Sequence, residues 1–235
     1  MNHQVRTIRC FIFKFYLEHC HPPTVDDIVE ATSISAEDVS EALLQLEENH
    51  HIVLYKFGVP STTPIAMAHP FSHLPTPFIV KQEERSWWAN CAWCAFGLAA
   101  MLHSVSNSPI TVVARSGAIG DSMLFNVTTE GIELQAAQEQ AEEAVVHFCV
   151  PPSTWWTDVR FACGTIHVFK NGSEAASWCK QFGFKSGEIL GLDAMWKLSK
   201  SWYHDKASFE YNRKTPDEKA QLFDSLGMVS GFWQD

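Results

Sequence analysis

Cys91 and Cys94 stand three residues apart in the run from Ser86 to Leu98, beside Trp87, Trp88 and Trp93. The apolar run Phe96 to Leu102, ending at His103, follows with the spacing of a buried helix. Asn90 is the expected N-cap, which places Cys91 in the first turn and Cys94 just beyond it on the same face. A thiol there feels the positive end of the helix dipole, so its pKa falls and its thiolate fraction rises. Such a pair can be a redox dithiol, half of a metal site, a nucleophile with a neighbour, or simply packing. A thioredoxin-type motif follows a strand in a βαβ unit, whereas Glu83, Glu84, Arg85 and a Trp pair precede this one. A closed structural zinc site needs a second Cys or Cys/His pair, and none is present.

Cys163 is the other thiol of interest. The segment Phe161 to Phe169 reads as an alternating strand, with Phe161, Cys163, Thr165, His167 and Phe169 on one face. Cys163 and His167 would then line one pocket about 13 Å apart along the strand, too far to hydrogen-bond. Taken by itself, each also reads as an ordinary core residue. Cys10, Cys20, Cys149 and Cys179 lie in apolar patterns and read as core. Seven irregularly spaced cysteines without an export-signal pattern predict reduced thiols and a cytoplasmic protein.

The elements that must position these groups follow in order. Gln4 to His19 reads as an amphipathic helix stopped by His21-Pro22-Pro23. Thr24 caps a second helix to Ala31, and Ser35 caps a third with Asp38 at the capping-box position. His51 to Phe57 alternates like a strand, completing a winged-helix-like order. Residues 1–60 carry four basic side chains against nine acidic ones, and Glu37, Asp38, Glu41, Glu47 and Glu48 load the third helix. Phosphates would repel it, so a structural or interaction module is expected rather than a DNA reader.

Residues 59–77 contain five prolines and read as an extended linker. His69 and His73 within it are four apart, but Pro70 rules against a helical metal pair, and both read as solvated. Pro109 to Ala114 and Ser122 to Thr128 flank a Gly-containing turn like a hairpin. Residues 130–143 read as surface loop and helix, and Ala144 to Val150 as a buried strand. Ser173 is expected to cap a helix through Phe182, with a peripheral helix and tail over 211–235. The expected class is α+β, with a winged-helix-like region (1–58), a Pro-rich linker (59–77) and a mixed or antiparallel-sheet core with packed helices (78–235). A net charge of −10 argues against non-specific nucleic-acid binding, and no apolar run is long enough for a membrane span.

Trp93-Cys94-Ala95 at the head of an apolar helix, then Phe161-Ala162-Cys163 and His167-Val168-Phe169, resembles the alkylmercury lyases (organomercurial lyases). The order of parts is similar over residues 24–200, including a later helix with Glu174 and Trp178; the last thirty or so residues lie outside the resemblance. It implies two thiolates that draw in a soft metal and weaken its bond to carbon, and an aspartate that protonates the departing carbon. By position Cys94 and Cys163 resemble the two thiolates and metal ligands, with Cys91 an additional thiol and Trp88, Trp93, Gly97 and His167 around the pocket. The aspartate is expected three residues after the first cysteine, where this chain has Gly97, and a further family cysteine is missing from Pro109 to Thr128. Three outcomes remain open: carbon–mercury cleavage with another proton donor, non-catalytic thiolate binding of Hg or Cu, or the fold turned to a different Cys- or metal-dependent reaction. No cofactor is expected beyond a bound soft metal, and the partner is a small molecule or metal.

Overall fold

Short polar side chains start the first three helices. Asn2, Thr24 and Ser35 each accept a hydrogen bond from the backbone N–H three residues on, and so begin α1 (His3–His19), α2 (Val25–Thr32) and α3 (Ala36–Glu48). Their apolar faces meet through Ile8, Ile12, Ile28, Val39 and Leu43, all buried. The computed structural model describes residues 1–56, 62–135 and 144–234. The surface expectation for 130–143 therefore lies largely outside the described residues, although Ile132–Leu134 forms a strand.

After β1 (Val53–Leu54) the Pro-rich segment carries two strands, β2 (Ile65–Ala68) and β3 (Phe71–Ser72). Its prolines sit at 64, 70, 75 and 77, outside the paired positions, so each missing N–H costs the ladder nothing. The segment expected as a linker is thus part of the sheet, and β2 joins β1 to the rest of it. The sheet continues with β4 (Ile79–Gln82) and β5 (Arg85–Ala89). Beyond the helix α4 (Ala92–His103) come β6 (Ile110–Arg115), β7 (Ser122–Val127) and β8 (Ile132–Leu134). All eight strands pair antiparallel in the order β1-β2-β3-β5-β4-β6-β7-β8. The β6–β7 pair is the expected hairpin, in register from Ile110–Val127 to Arg115–Ser122.

A second, three-stranded sheet has β9 (Val145–Phe148) at its centre. Between β9 and its partner the chain forms α5 (Val159–Gly164), then β10 (His167–Phe169). Cys163 therefore lies on a short helix, not on the strand expected over Phe161 to Phe169. Asp158 decides this: its carboxylate accepts from Phe161 N at 2.9 Å, and Thr165 Oγ1 donates back to Phe161 O at 2.9 Å. One N-cap and one back-bonded threonine outweigh the alternation of apolar residues. Next come α6 (Gly172–Phe182), capped by Asn171 rather than Ser173, β11 (Glu188–Gly191) and α7 (Leu192–Tyr203).

Every residue of α4 from Ala92 to Leu102 is buried. The helix packs on β4, β5 and β6 on one side and on α7 on another, so it is apolar all round. The chain ends with α8 (Pro216–Ser225) and α9 (Gly231–Gln234), which are not peripheral. Phe223, Met228 and Trp233 are buried, and the Trp233 ring packs edge-on against Phe148 at 5.1 Å.

Candidate active site

The N-terminus of α4 is built by cysteine. Cys91 is the N-cap in extended backbone, and its Sγ accepts from Cys94 N at 3.4 Å. Asn90, the expected cap, instead donates its amide to Pro70 O at 3.2 Å and Phe71 O at 2.9 Å, tying the β2–β3 turn to the start of the helix. Ala92 N donates to Ile166 O at 3.1 Å, which draws the α5–β10 connection onto the same spot. Three segments distant in sequence therefore converge, carrying His69, the Cys91–Cys94 pair and Cys163.

The Cys91, Cys94 and Cys163 sulfurs all lie within 4.8 Å of one another, and all three residues are buried. His69 Nε2 lies 3.4 Å from Cys163 Sγ, and Tyr203 Oη 3.6 Å from Cys94 Sγ. Of these groups Cys94 is the one whose ionisation the surroundings favour. Burial opposes ionisation there, but hydrogen bonds with Cys163 and Cys91, the nearby His69 and the Tyr203 hydroxyl together hold the Cys94 thiol well below its ordinary pKa. The charge on Cys94 then keeps the neighbours protonated. Burial and the two other sulfurs push Cys91 well up. Cys163 also rises: its hydrogen bond with Cys91 lowers it, but the bond to Cys94, burial and the Cys94 charge outweigh that. Burial and the sulfurs likewise keep the Tyr203 phenol protonated. Burial pushes His69 down to about 4, so it is neutral at physiological pH.

The sulfurs form part of the wall of a cavity whose other walls are aromatic: Trp93, Trp155, Trp156, Trp202, Tyr203 and Tyr211. Trp93 is wedged between Trp155 and Trp202, at ring distances of 5.0 and 5.2 Å. Lys206, Arg213, Lys214 and Lys219 also line it, and among the described residues no carboxylate does. Lys206 is buried with Nζ 3.3 Å from Tyr211 Oη, and burial lowers its pKa.

The structure brings together Cys91, Cys94, Cys163 and Trp93 of the residues expected here, and leaves three of them out. Trp88 stands on β5 with its ring 39% exposed, because alternation along the strand sends Trp87 inward instead. His167 is buried on β10, stacked on Phe78 at 5.8 Å and edge-on to Trp178 at 5.3 Å. Gly97 is covered by the Tyr203 ring, against which a Cβ would come within 2.3 Å of Cδ2. His69 is the reverse case. It was expected in solvent, but the β2–β3 turn buries it against Cys163. No spacing in the sequence points to His69 or to Tyr203, since each arrives from a distant element.

A family model described as alkylmercury lyase matches residues 71–204. The chain belongs to the alkylmercury lyase family. The matched span holds all three cysteines of the cluster and Tyr203, and begins two residues after His69. No curated protein matches the chain. Among solved structures, it is similar to the mercury-bound form of MerB2, with 19% identity and a TM-score of 0.64 over 88% of this chain and 93% of that one. At that identity the likeness speaks for a shared alkylmercury-lyase fold.

Proposed function

We propose that this family member cleaves the carbon–mercury bond of organomercurials by protonolysis, with Cys94 and Cys163 as the thiolates that take the metal. The observation that carries the reading is the cluster of three buried sulfurs on the wall of an aromatic cavity. Mercury is soft and prefers thiolate sulfur to nitrogen or oxygen. Cys94, the thiol whose ionisation the site favours, is the group that attacks the metal. Cys163, less than 4.8 Å away, supplies the second bond, and its proton is released as it does so. Each added thiolate raises electron density on mercury and weakens its bond to carbon. The tryptophan walls suit an aryl or alkyl group, whose apolar surface they take out of water.

Cys91 is placed to add a third sulfur, and that favours a second reading, a soft-metal binding protein that retains Hg²⁺ or Cu⁺ without turnover. Trp93 serves the pocket in either reading; Trp88 and His167 support it only through packing. All seven cysteines are free, which suits a reducing compartment such as the cytoplasm. The acidic residues exposed on α3 make nucleic acid a poor partner for the N-terminal helices.

The test is single-turnover release of benzene from phenylmercury in excess thiol, for the wild type, Cys94→Ser and Cys163→Ser. Release by the wild type and its loss in both variants is the expected result. Mercury held one-to-one with no benzene identifies the binding protein instead. Full activity in both variants overturns the thiolate assignment.

A further inference from the structure

Cleavage of a carbon–mercury bond needs a proton at carbon, and among the described residues no carboxylate lines the cavity. Cys94 and Cys163 are committed to the metal, and the Cys91 sulfur is engaged as the helix cap, accepting from Cys94 N. His69 presents Nε2 to Cys163, at 3.4 Å, rather than to Cys94. One other hydroxyl reaches the sulfur that first meets mercury: Tyr203 Oη, 3.6 Å from Cys94 Sγ.

The position of Tyr203 is fixed by the packing of two helices. It is the last residue of α7, buried, with its ring edge-on to Trp93 at 5.5 Å. The same ring lies over Gly97, one turn into α4 from Cys94, and a Cβ there would meet three ring atoms at 2.3–2.8 Å. Glycine at 97 and tyrosine at 203 are therefore a matched pair: a side chain on α4 and this ring cannot share the space. The absence of an acid at 97 and the presence of a hydroxyl at Cys94 have one steric cause.

We propose that the Tyr203 hydroxyl is the proton donor of carbon–mercury cleavage, standing where a carboxylate on α4 would otherwise project. This rests on the lyase reading above. In R–Hg–X, the Cys94 thiolate bonds mercury and X⁻ leaves. Cys163 sulfur then bonds mercury as the electron pair of the R–Hg bond takes the Tyr203 proton, giving R–H. The proton released by Cys163 restores the phenol. The sum is R–Hg–X plus one thiolate and one thiol going to R–H, X⁻ and a mercury bis-thiolate, with mercury divalent throughout.

The experiment compares the wild type, Tyr203→Phe, Tyr203→Ala, and Tyr203→Ala combined with Gly97→Asp. It reads benzene release from phenylmercury in a single turnover and, separately, the stoichiometry of Hg²⁺ retention. Tyr203→Phe keeps the ring and removes only the hydroxyl. It is expected to slow release by about 10²- to 10⁴-fold, the usual contribution of a general acid, with one Hg²⁺ still retained. Gly97→Asp added to Tyr203→Ala is expected to release benzene faster than Tyr203→Ala, because the carboxylate enters the vacated space. Wild-type rates in Tyr203→Phe overturn the proposal while leaving the lyase reading intact. Loss of Hg²⁺ retention along with release in Tyr203→Phe also overturns it, assigning the hydroxyl to support of the thiolate. A wild type that releases no benzene ends the lyase reading and this inference together.

Discussion

A thiolate shut away from water is costly, and Cys94 carries one only because several donors face it. The Cys163 and Cys91 thiols, neighbouring His69 and the Tyr203 hydroxyl offset the penalty of burial, and the charge they favour keeps each thiol partner protonated. The sign of the pH dependence follows. An ordinary thiol, with a pKa of about 8.5, is almost wholly protonated at neutrality. Cys94, held well below its usual value, keeps its charge to lower pH than an ordinary thiol does. Ultraviolet thiolate absorbance of the reduced, metal-free protein is therefore expected to show one thiolate titrating below the range of an ordinary thiol, and Cys94→Ser to remove it. Absorbance that appears only in alkaline solution would contradict the assignment. The cysteines were legible as chemistry from their type and spacing alone, whereas Tyr203 was one aromatic residue among many.

Among the elements, α4 matters most, and its N-cap residue has two roles. Cys91 caps the helix through its sulfur and belongs to the three-sulfur cluster. Substitution separates these roles. Serine is a strong N-cap and keeps an acceptor for Cys94 N, so Cys91→Ser is expected to leave stability nearly unchanged. Cys91→Ala leaves that buried N–H without its partner and is expected to cost about 0.5–2 kcal/mol, measured by urea denaturation. Equal stability of the two variants would show that the sulfur is a cap in geometry only. The helix itself was readable from its apolar run; its cap was misplaced by one residue because Asn90, a better capping type, is used by the β2–β3 turn. The helical setting of Cys163 was hidden for a similar reason. A six-residue helix carries too little periodicity to outvote the aromatic alternation around it, and only the Asp158 cap marks it.

At the scale of the whole molecule, burial has trapped histidines as neutral rings in both halves of the chain. His51 is pushed down to about 3 by burial, helped by Lys206 and Arg9, and His167 to about 4 by burial. Both lie below the unfolded value of 6.5. Between those values the unfolded chain binds protons that the folded one does not, so stability is full above pH 6.5 and is lost as the pH falls toward 4. Each such proton contributes a slope of about 1.4 kcal/mol per pH unit. Denaturation curves collected from neutral to mildly acid pH should show this fall, and a smaller one in His167→Asn. A flat profile across that range would mean that these rings are protonated within the fold. The same long-range packing brings α9 home: Trp233 closes over Phe148, although nothing local in the last residues marks them as core.

The α+β class, the helix-helix-helix-strand opening, the β6–β7 hairpin, the apolar helix with its cysteines, and the family resemblance that ties Cys94 to Cys163 can all be read along the chain. These are local facts, written in periodicity, capping residues and short motifs. Long-range packing alone makes the Pro-rich segment contribute two strands to the sheet, closes the three-sulfur cluster with Cys91, turns His69 to Cys163, and leaves Trp88 and His167 outside the cavity. The same packing lays the Tyr203 ring over Gly97. Each of these depends on where elements far apart in the chain come to rest, and a side chain's neighbours across a core are fixed by packing rather than by its place in the sequence.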